Sequence, residues 1–279
     1  MVMKKILVPV DFSLYSKNAF FYAKIIAEKT KAEIILLNCY HLENSIGVDP
    51  SESSMDEFES DNRKDHFNQL NNFLTSFSDI SKYKIVPLLK PGLAAETILQ
   101  TIEMENIDFV VMGSKGQSNL ITRLFGSVTE TIADKIVCPL LVVPSGISSW
   151  KIESIAYFTS VNSEKDRMAN SLIVFSESIQ SILSYICFAP VNMKRQNEES
   201  LEKFRKEIYN DNNGKVEVEI INTENVEESI SQYIRAHDPD IIAVNLNKKY
   251  FIKDVLLKDH TGIELLNNFH IPFLLFKGV

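Results

Sequence analysis

The sequence of 279 residues predicts an α/β fold made of two tandem parallel sheets with five strands each, and three observations carry that prediction. Short β-branched apolar runs alternate with longer segments of helical periodicity, the pattern of βαβ units. The runs are nearly continuous in apolar residues, as in Asp108-Phe-Val-Val-Met112, which fits strands covered by helices on both faces. The order of elements in the first half is then replayed in the second. A prior of roughly 150 residues per domain gives two domains, each large enough to bury its own core.

In the first half, strands are predicted at Lys4–Val10, Glu33–Cys39, Lys84–Leu89, Phe109–Met112 and Leu140–Val143. Helical patterns lie between them at Ser13–Thr30, Asp56–Phe77, Ala94–Glu105 and Val128–Ile136. In the second half, strands are predicted at Ile155–Thr159, Ile182–Phe188, Val216–Ile221, Ile241–Val244 and Phe273–Phe276. The replay is visible in the residues themselves. Asp108-Phe-Val-Val-Met returns as Asp240-Ile-Ile-Ala-Val, Cys138-Pro139-Leu-Leu-Val-Val returns as Ile271-Pro272-Phe-Leu-Leu-Phe, and Cys39 falls opposite Cys187. This is a degenerate tandem duplication. The segment His41–Asp56, rich in Ser, Glu and Asp, has no counterpart in the second copy and reads as a surface loop. The boundary falls near Pro144-Ser-Gly-Ile-Ser-Ser149 and divides the chain into domains 1–146 and 147–279. So short a connection predicts that the two copies lie against each other.

Composition narrows the function classes. Hydrophobic residues make up 45% and charged residues 24%, as in an ordinary globular chain rather than a disordered one. Residues 1–150 carry 14 basic and 18 acidic side chains and the remainder 15 and 19, so neither half offers the basic surface that nucleic acids require. The three cysteines sit in apolar runs without a CxxC pair, which argues against a disulfide framework or a zinc site and for a reducing cytoplasm. No apolar run approaches the roughly 20 residues of a membrane span, and the opening run is too short for a signal peptide.

The chemistry concentrates after the fourth strand. Three of the nine glycines fall between Gly113 and Gly126: Gly113-Ser-Lys115-Gly116, nine residues, then Gly126-Ser127. This is the carboxyl end of a parallel strand, where open α/β sheets bind ligands. Glycines there let backbone N–H groups approach an anion, and the following helix N-terminus favours phosphate. The bland alternative is helix capping, since Ser127-Val-Thr-Glu130 matches a capping box. Gln117–Phe125 reads as a loop able to fold over a ligand.

The spacing Gly, two residues, Gly, nine residues, Gly-Ser, after an apolar strand that starts with Asp108, resembles the ATP-binding signature of the universal stress protein family. Lys4-Lys-Ile-Leu-Val-Pro-Val-Asp11-Phe-Ser13 resembles that family's first strand, and Cys138-Pro139-Leu-Leu-Val-Val-Pro144 its last. The resemblance covers residues 1–144 and, more weakly, 151–279. It implies that Asp11 and Cys39 border adenine and ribose, that Gly113, Lys115 and Gly116 approach ribose and phosphates, and that Gly126, Ser127 and Val128 hold the phosphates. From the residues alone, Asp11 reads equally as a contributor to the first helix cap, Cys39 as core and Lys115 as a solvated loop charge. The resemblance further implies a five-stranded order 3-2-1-4-5 in each copy, helices on both faces, and the two copies paired through their last strands as a pseudo-dimer.

Other nucleotide chemistries lack their residues. GxxxxGK[ST] is absent, no GxGxxG follows the first strand, no HxGH-like turn follows it either, and no GxSxG elbow occurs. None of the five histidines is placed as a general base. The second copy loses the anchors: Gly113, Gly116, Gly126, Ser127 and Asp11 align with Asn245, Lys248, Asp259, His260 and Ser160. The expected function is therefore an ATP-binding regulatory protein of the stress-response type, with nucleotide in the first copy only. An unidentified protein partner is expected, with no nucleic acid or membrane, and a homodimer is left open. The alternatives are a slow adenine-nucleotide hydrolase or phosphoryl-transfer enzyme, which would need a metal such as Mg2+ beside Asp11, and a ligand-free interaction module.

Overall fold

The computed structural model describes residues 3–40, 52–115, 125–147, 150–160, 167–191, 216–246 and 270–276, the side chains at 52–62, 160 and 167–169 excepted. The first half runs β1 (Lys5–Pro9), α1 (Leu14–Thr30), β2 (Glu33–Tyr40), α2 (Glu52–Thr75), β3 (Ile85–Pro91), α3 (Ala94–Met104), β4 (Phe109–Gly113), α4 (Ser127–Lys135) and β5 (Leu140–Val143). The second runs β6 (Ser154–Ser160), α5 (Arg167–Ser178), β7 (Ile182–Ala189), β8 (Val216–Asn222), α6 (Val226–His237), β9 (Ile241–Asn245) and β10 (Phe273–Phe276). The strands follow the predicted apolar runs to within two residues. Helix α2 starts at Glu52, inside the predicted loop His41–Asp56, and residues 41–51 of that loop lie outside the described residues.

All ten described strands form one sheet in the order β3-β2-β1-β4-β5-β10-β9-β6-β7-β8. Within each half the pairing is parallel and the order is the predicted 3-2-1-4-5, read inward from opposite edges. The halves meet where β5 and β10 pair antiparallel, with Val142 opposite Phe273 and Leu140 opposite Leu275. Strand alternation feeds two cores, one on each face. Ile6, Val8, Ile34 and Leu36 join α1, α2 and α5 on one side; Leu7, Ile35 and Leu37 join α3, α4 and α6 on the other. The cores run across the junction, where Phe109 stacks on Phe175 with ring centroids 5.1 Å apart. The Asn18 side chain of α1 donates to the carbonyls of Pro144 and Ser145 at 3.0 and 2.9 Å and so ties down the connection.

The repeated aspartates have a structural role. Asp108 accepts from the N–H groups of Lys4 and Lys5 at 2.8 and 2.9 Å, and Asp240 accepts from those of Glu153 and Ser154 at 2.9 and 3.0 Å. Each fourth strand thereby fixes the start of the first strand of its own half. These bonds and the strand registers also correct one sequence alignment. Lys5 pairs with Glu33 and Ser154 with Ile182, so the position of Cys39 in β2 is taken by Phe188 in β7, and Cys187 stands at the position of Asn38. A one-residue shift moves a strand side chain to the opposite face. Cys187 accordingly belongs to the α1-side core, whereas Cys39 packs on the α3 side. No helix among the described residues is long and apolar enough to cross a membrane.

Candidate functional site

At the carboxyl ends of β1, β2 and β4 the first half opens into a cavity of about 290 Å³. Its inner wall is apolar, built from Pro9, Val10, Leu37, Ala94, Ile98 and Met112, and its outer part is formed by Gly113, Lys115 and the start of α4. Of the eight residues singled out in the sequence, Asp11, Cys39, Gly113, Lys115, Gly126, Ser127 and Val128 line this one cavity. Gly116 lies outside the described residues, as does the loop through residue 124. The sequence reading missed Ser16, Thr129 and the apolar wall. The wall was latent in strand alternation, because Leu37 and Cys39 share a face of β2.

Each element reaches the cavity for a local reason. After β1 the chain turns through Phe12, whose φ of 65° is left-handed, and Ser13 caps α1 by accepting from the N–H of Ser16 at 3.3 Å. The Asp11 carboxylate accepts from the N–H and hydroxyl of Ser13 at 3.1 and 2.6 Å. Asp11 thus supports the cap and also borders the cavity. Gly113 is required by packing: a β-carbon there would lie 2.6 Å from Tyr15 Cβ and 2.9 Å from the Tyr15 carbonyl carbon. Its absence lets the first turn of α1 sit on the end of β4.

The capping box predicted at Ser127 does not form. Helix α4 begins one residue earlier than that motif requires, with Gly126 as the N-cap in extended conformation and no side-chain cap. The first intrahelical bond runs from the Glu130 N–H to the Gly126 carbonyl at 2.9 Å. Ser127, Val128 and Thr129 therefore present N–H groups that precede the helix ladder, at the positive end of the helix dipole. This turn is held in register with the sheet. The Thr129 hydroxyl donates to the Gly113 carbonyl at 3.1 Å, the Gly126 N–H to the Ser114 carbonyl at 2.8 Å, and the Ser114 N–H to the Val143 carbonyl at 2.8 Å.

The electrostatics divide the cavity. Among the described lining residues Lys115 is the cation, and the α4 N-terminus lines the same cavity. On the inner side, burial pushes the Cys39 thiol up to about 11, against the lowering influence of Lys90 and a hydrogen bond to Thr97, so the thiol is neutral and unreactive at neutral pH. Among the described residues no group of three His, Cys, Asp or Glu side chains could hold a metal ion. The arrangement suits a ligand with a flat apolar end and an anionic end.

The corresponding place in the second half is built differently. Phe158 and Phe188 stand at the strand positions of Pro9 and Cys39, are 2% and 3% exposed, and lie 5.8 Å apart. Tyr233 of α6 meets Phe158 edge-on at 5.6 Å. Rings thus occupy positions that line open space in the first half. Asn245, at the position of Gly113, is buried. Lys248, Asp259 and His260, and the Ser160 side chain, lie outside the described residues.

Comparison with known proteins places this architecture. The profile of the universal stress protein family matches residues 3–144. Universal stress protein MJ0577 of Methanocaldococcus jannaschii is 31% identical over 153 residues, covering 50% of this chain and 94% of that protein. Universal stress protein MJ0531 of the same organism is 30% identical over 140 residues, covering 50% of this chain and 81% of that protein. The crystal structure of a universal stress protein from Archaeoglobus fulgidus shares the fold over 98% of this chain and 96% of its own, with a TM-score of 0.65 at 17% identity. With half of its length matched by the profile, and two relatives at 30% identity or more aligned along most of their own lengths, the chain belongs to the universal stress protein family.

Proposed function

We propose that the chain binds one ATP in the cavity of its first half and acts as a regulatory, stress-response protein whose nucleotide occupancy biases a conformation or a partner-binding surface. The observation that carries this reading is that seven of the eight residues implied by the family resemblance line one cavity, which has an apolar wall and is also lined by Lys115 and the α4 N-terminus. Adenine fits the apolar wall beside Cys39 and Asp11. The phosphates fit beside Gly126, Ser127 and Val128, where the N–H groups of Ser127, Val128 and Thr129 and the helix dipole favour anions. Mg2+ would enter with the phosphates, which is how nucleotide sites commonly hold it.

In this reading the chain divides into a nucleotide-binding domain, residues 1–146, and a degenerate second copy, residues 147–279, in which Phe158, Phe188 and Tyr233 take the place of a ligand. The three free thiols fit a reducing cytoplasm. Native mass spectrometry of the gently purified protein, followed by calorimetric titration with ATP, tests the proposal. One ATP per chain is expected; no binding refutes the nucleotide reading, and a stoichiometry of two refutes the asymmetry.

A further inference from the structure

Behind the cavity, on the opposite face of β2, one side chain is bonded to the cavity rim. Asn38 precedes Cys39, so its side chain points away from the cavity, and it is 3% exposed. Its amide nitrogen donates to the Val10 carbonyl at 2.8 Å, and its amide oxygen meets Nδ1 of His66 at 3.0 Å. A carbonyl only accepts, so the amide nitrogen must face Val10 and the oxygen must face the imidazole. That oxygen also only accepts, so His66 carries a proton on Nδ1, as it does in the imidazolium form as well.

These bonds reach both sides of the cavity. The Val10 N–H donates to the Leu37 carbonyl at 2.8 Å, so with Asn38 on its carbonyl Val10 is held at both polar groups, and Asp11 follows directly. On the other side the His66 ring lies against Tyr40, centroids 5.2 Å apart. The Tyr40 carbonyl accepts from the Gly92 N–H at 2.9 Å, and two residues on, Ala94 lines the cavity. His66 belongs to α2, none of whose described side chains lines the cavity. In the second half Cys187 stands at the position of Asn38, where a single sulfur, weak as donor and as acceptor, replaces an amide with a strong donor and a separate strong acceptor.

We infer that Asn38 and His66 are positioning residues for the nucleotide site. Through them α2 holds Val10 and Asp11 at one rim, and through Tyr40 it steadies the chain leading to Ala94 at the other. The inference rests on the ATP reading given above and adds a dependence of affinity on a helix residue, His66, that does not line the cavity.

The test is calorimetric titration of ATP into the full chain carrying the wild-type residue, His66→Ala or His66→Asn, with circular dichroism to confirm folding. Asn38→Ala would leave a buried carbonyl unpaired and risks unfolding the chain, so the half-buried His66 carries the comparison. Loss of the one bond is expected to weaken ATP binding about five- to tenfold in His66→Ala. His66→Asn, whose amide nitrogen can stand where Nδ1 stands, should recover affinity to within about twofold of wild type. Wild-type binding with an unaffected His66→Ala overturns the inference alone. So does a His66→Asn protein that is folded and as weak as His66→Ala, because the ring would then act only by filling space. Absence of binding by the wild type overturns the ATP reading and the inference together.

Discussion

Cys39→Phe transplants into the first half the residue that the second half carries at the same strand position. The added ring would point into a cavity of about 290 Å³ with an apolar wall of Leu37, Ala94, Ile98 and Met112. If roughly 40–80 Å² of ring surface leaves water at about 25 cal/mol per Å², the gain is about 1–2 kcal/mol. At about 2–4 °C per kcal/mol for a chain of this size class, Tm of the ligand-free protein should rise by about 2–8 °C. ATP should bind at least about a hundredfold more weakly, a loss near 2.8 kcal/mol, because the ring takes the space proposed for the base. The assay is thermal unfolding with and without ATP at about 100 times the wild-type Kd, where binding stabilises the wild type by about 2.7 kcal/mol. The variant should melt higher without ATP and show almost no further rise with it. A full ATP-induced rise in Cys39→Phe would mean that the ligand does not border Cys39, and a destabilised variant would mean that the cavity lacks the room its geometry indicates.

Gly126→Asp should keep stability within about 0.5 kcal/mol, because the N-cap φ of −70° and ψ of 161° suit aspartate, a favoured N-cap residue. It should nevertheless abolish the ATP-induced rise in Tm by placing a like charge beside the phosphates, and an undiminished rise would refute the assignment. Gly113→Ala should cost about 1–3 kcal/mol in urea denaturation, since its β-carbon meets the backbone of Tyr15 and α1 must move off β4; wild-type stability would contradict that packing. Burial holds the Cys39 thiol near 11 and the Cys138 thiol near 12, so modification by a thiol reagent should be slow at pH 7.5 and accelerate into the alkaline range. The sign for stability follows from the same shifts: the unfolded thiols ionise from about pH 9 while the folded ones stay protonated, so stability should fall from about pH 9 to 11 through Cys39 and on to about pH 12 through Cys138. Rapid modification of both thiols at pH 7.5 in the folded protein would refute this.

The strands and the order of the halves were legible because each buried run carries its own signal: Phe109–Gly113 and Ile241–Asn245 are apolar along almost their whole length, as burial on two faces demands. The glycine spacing around Gly113 and Gly126 was legible because close backbone approach restricts residue choice. What composition could not give was register. Pairing Cys39 with Cys187 is natural in an ungapped reading of two apolar runs, and only the ladders show that Phe188 is the true counterpart. The cap at Gly126 was hidden because Ser127 is the better capping residue by preference, whereas the helix start is set by the tertiary bond from Thr129 to Gly113. His66 gave no signal at all: its partner Asn38 is 28 residues away and lies in a strand of another packing layer.

The antiparallel junction of β5 with β10 has a consequence for how the two halves can change. Were the same seam formed between two identical molecules, every substitution at the ligand site would appear twice, and pairing would weaken on dilution. Here the seam lies within a single polypeptide, so it holds at any concentration and its two sides are encoded independently. One side can keep a cysteine facing open space while the other fills the equivalent position with a phenylalanine, and the scaffold that supports both is unaffected. The outer boundaries of the sheet, β3 with Pro87 and Pro91 and β8 with the exposed Glu217 and Glu219, carry residues that discourage further strand addition. Among the described residues, growth by edge pairing is thus closed at the centre and opposed at both ends.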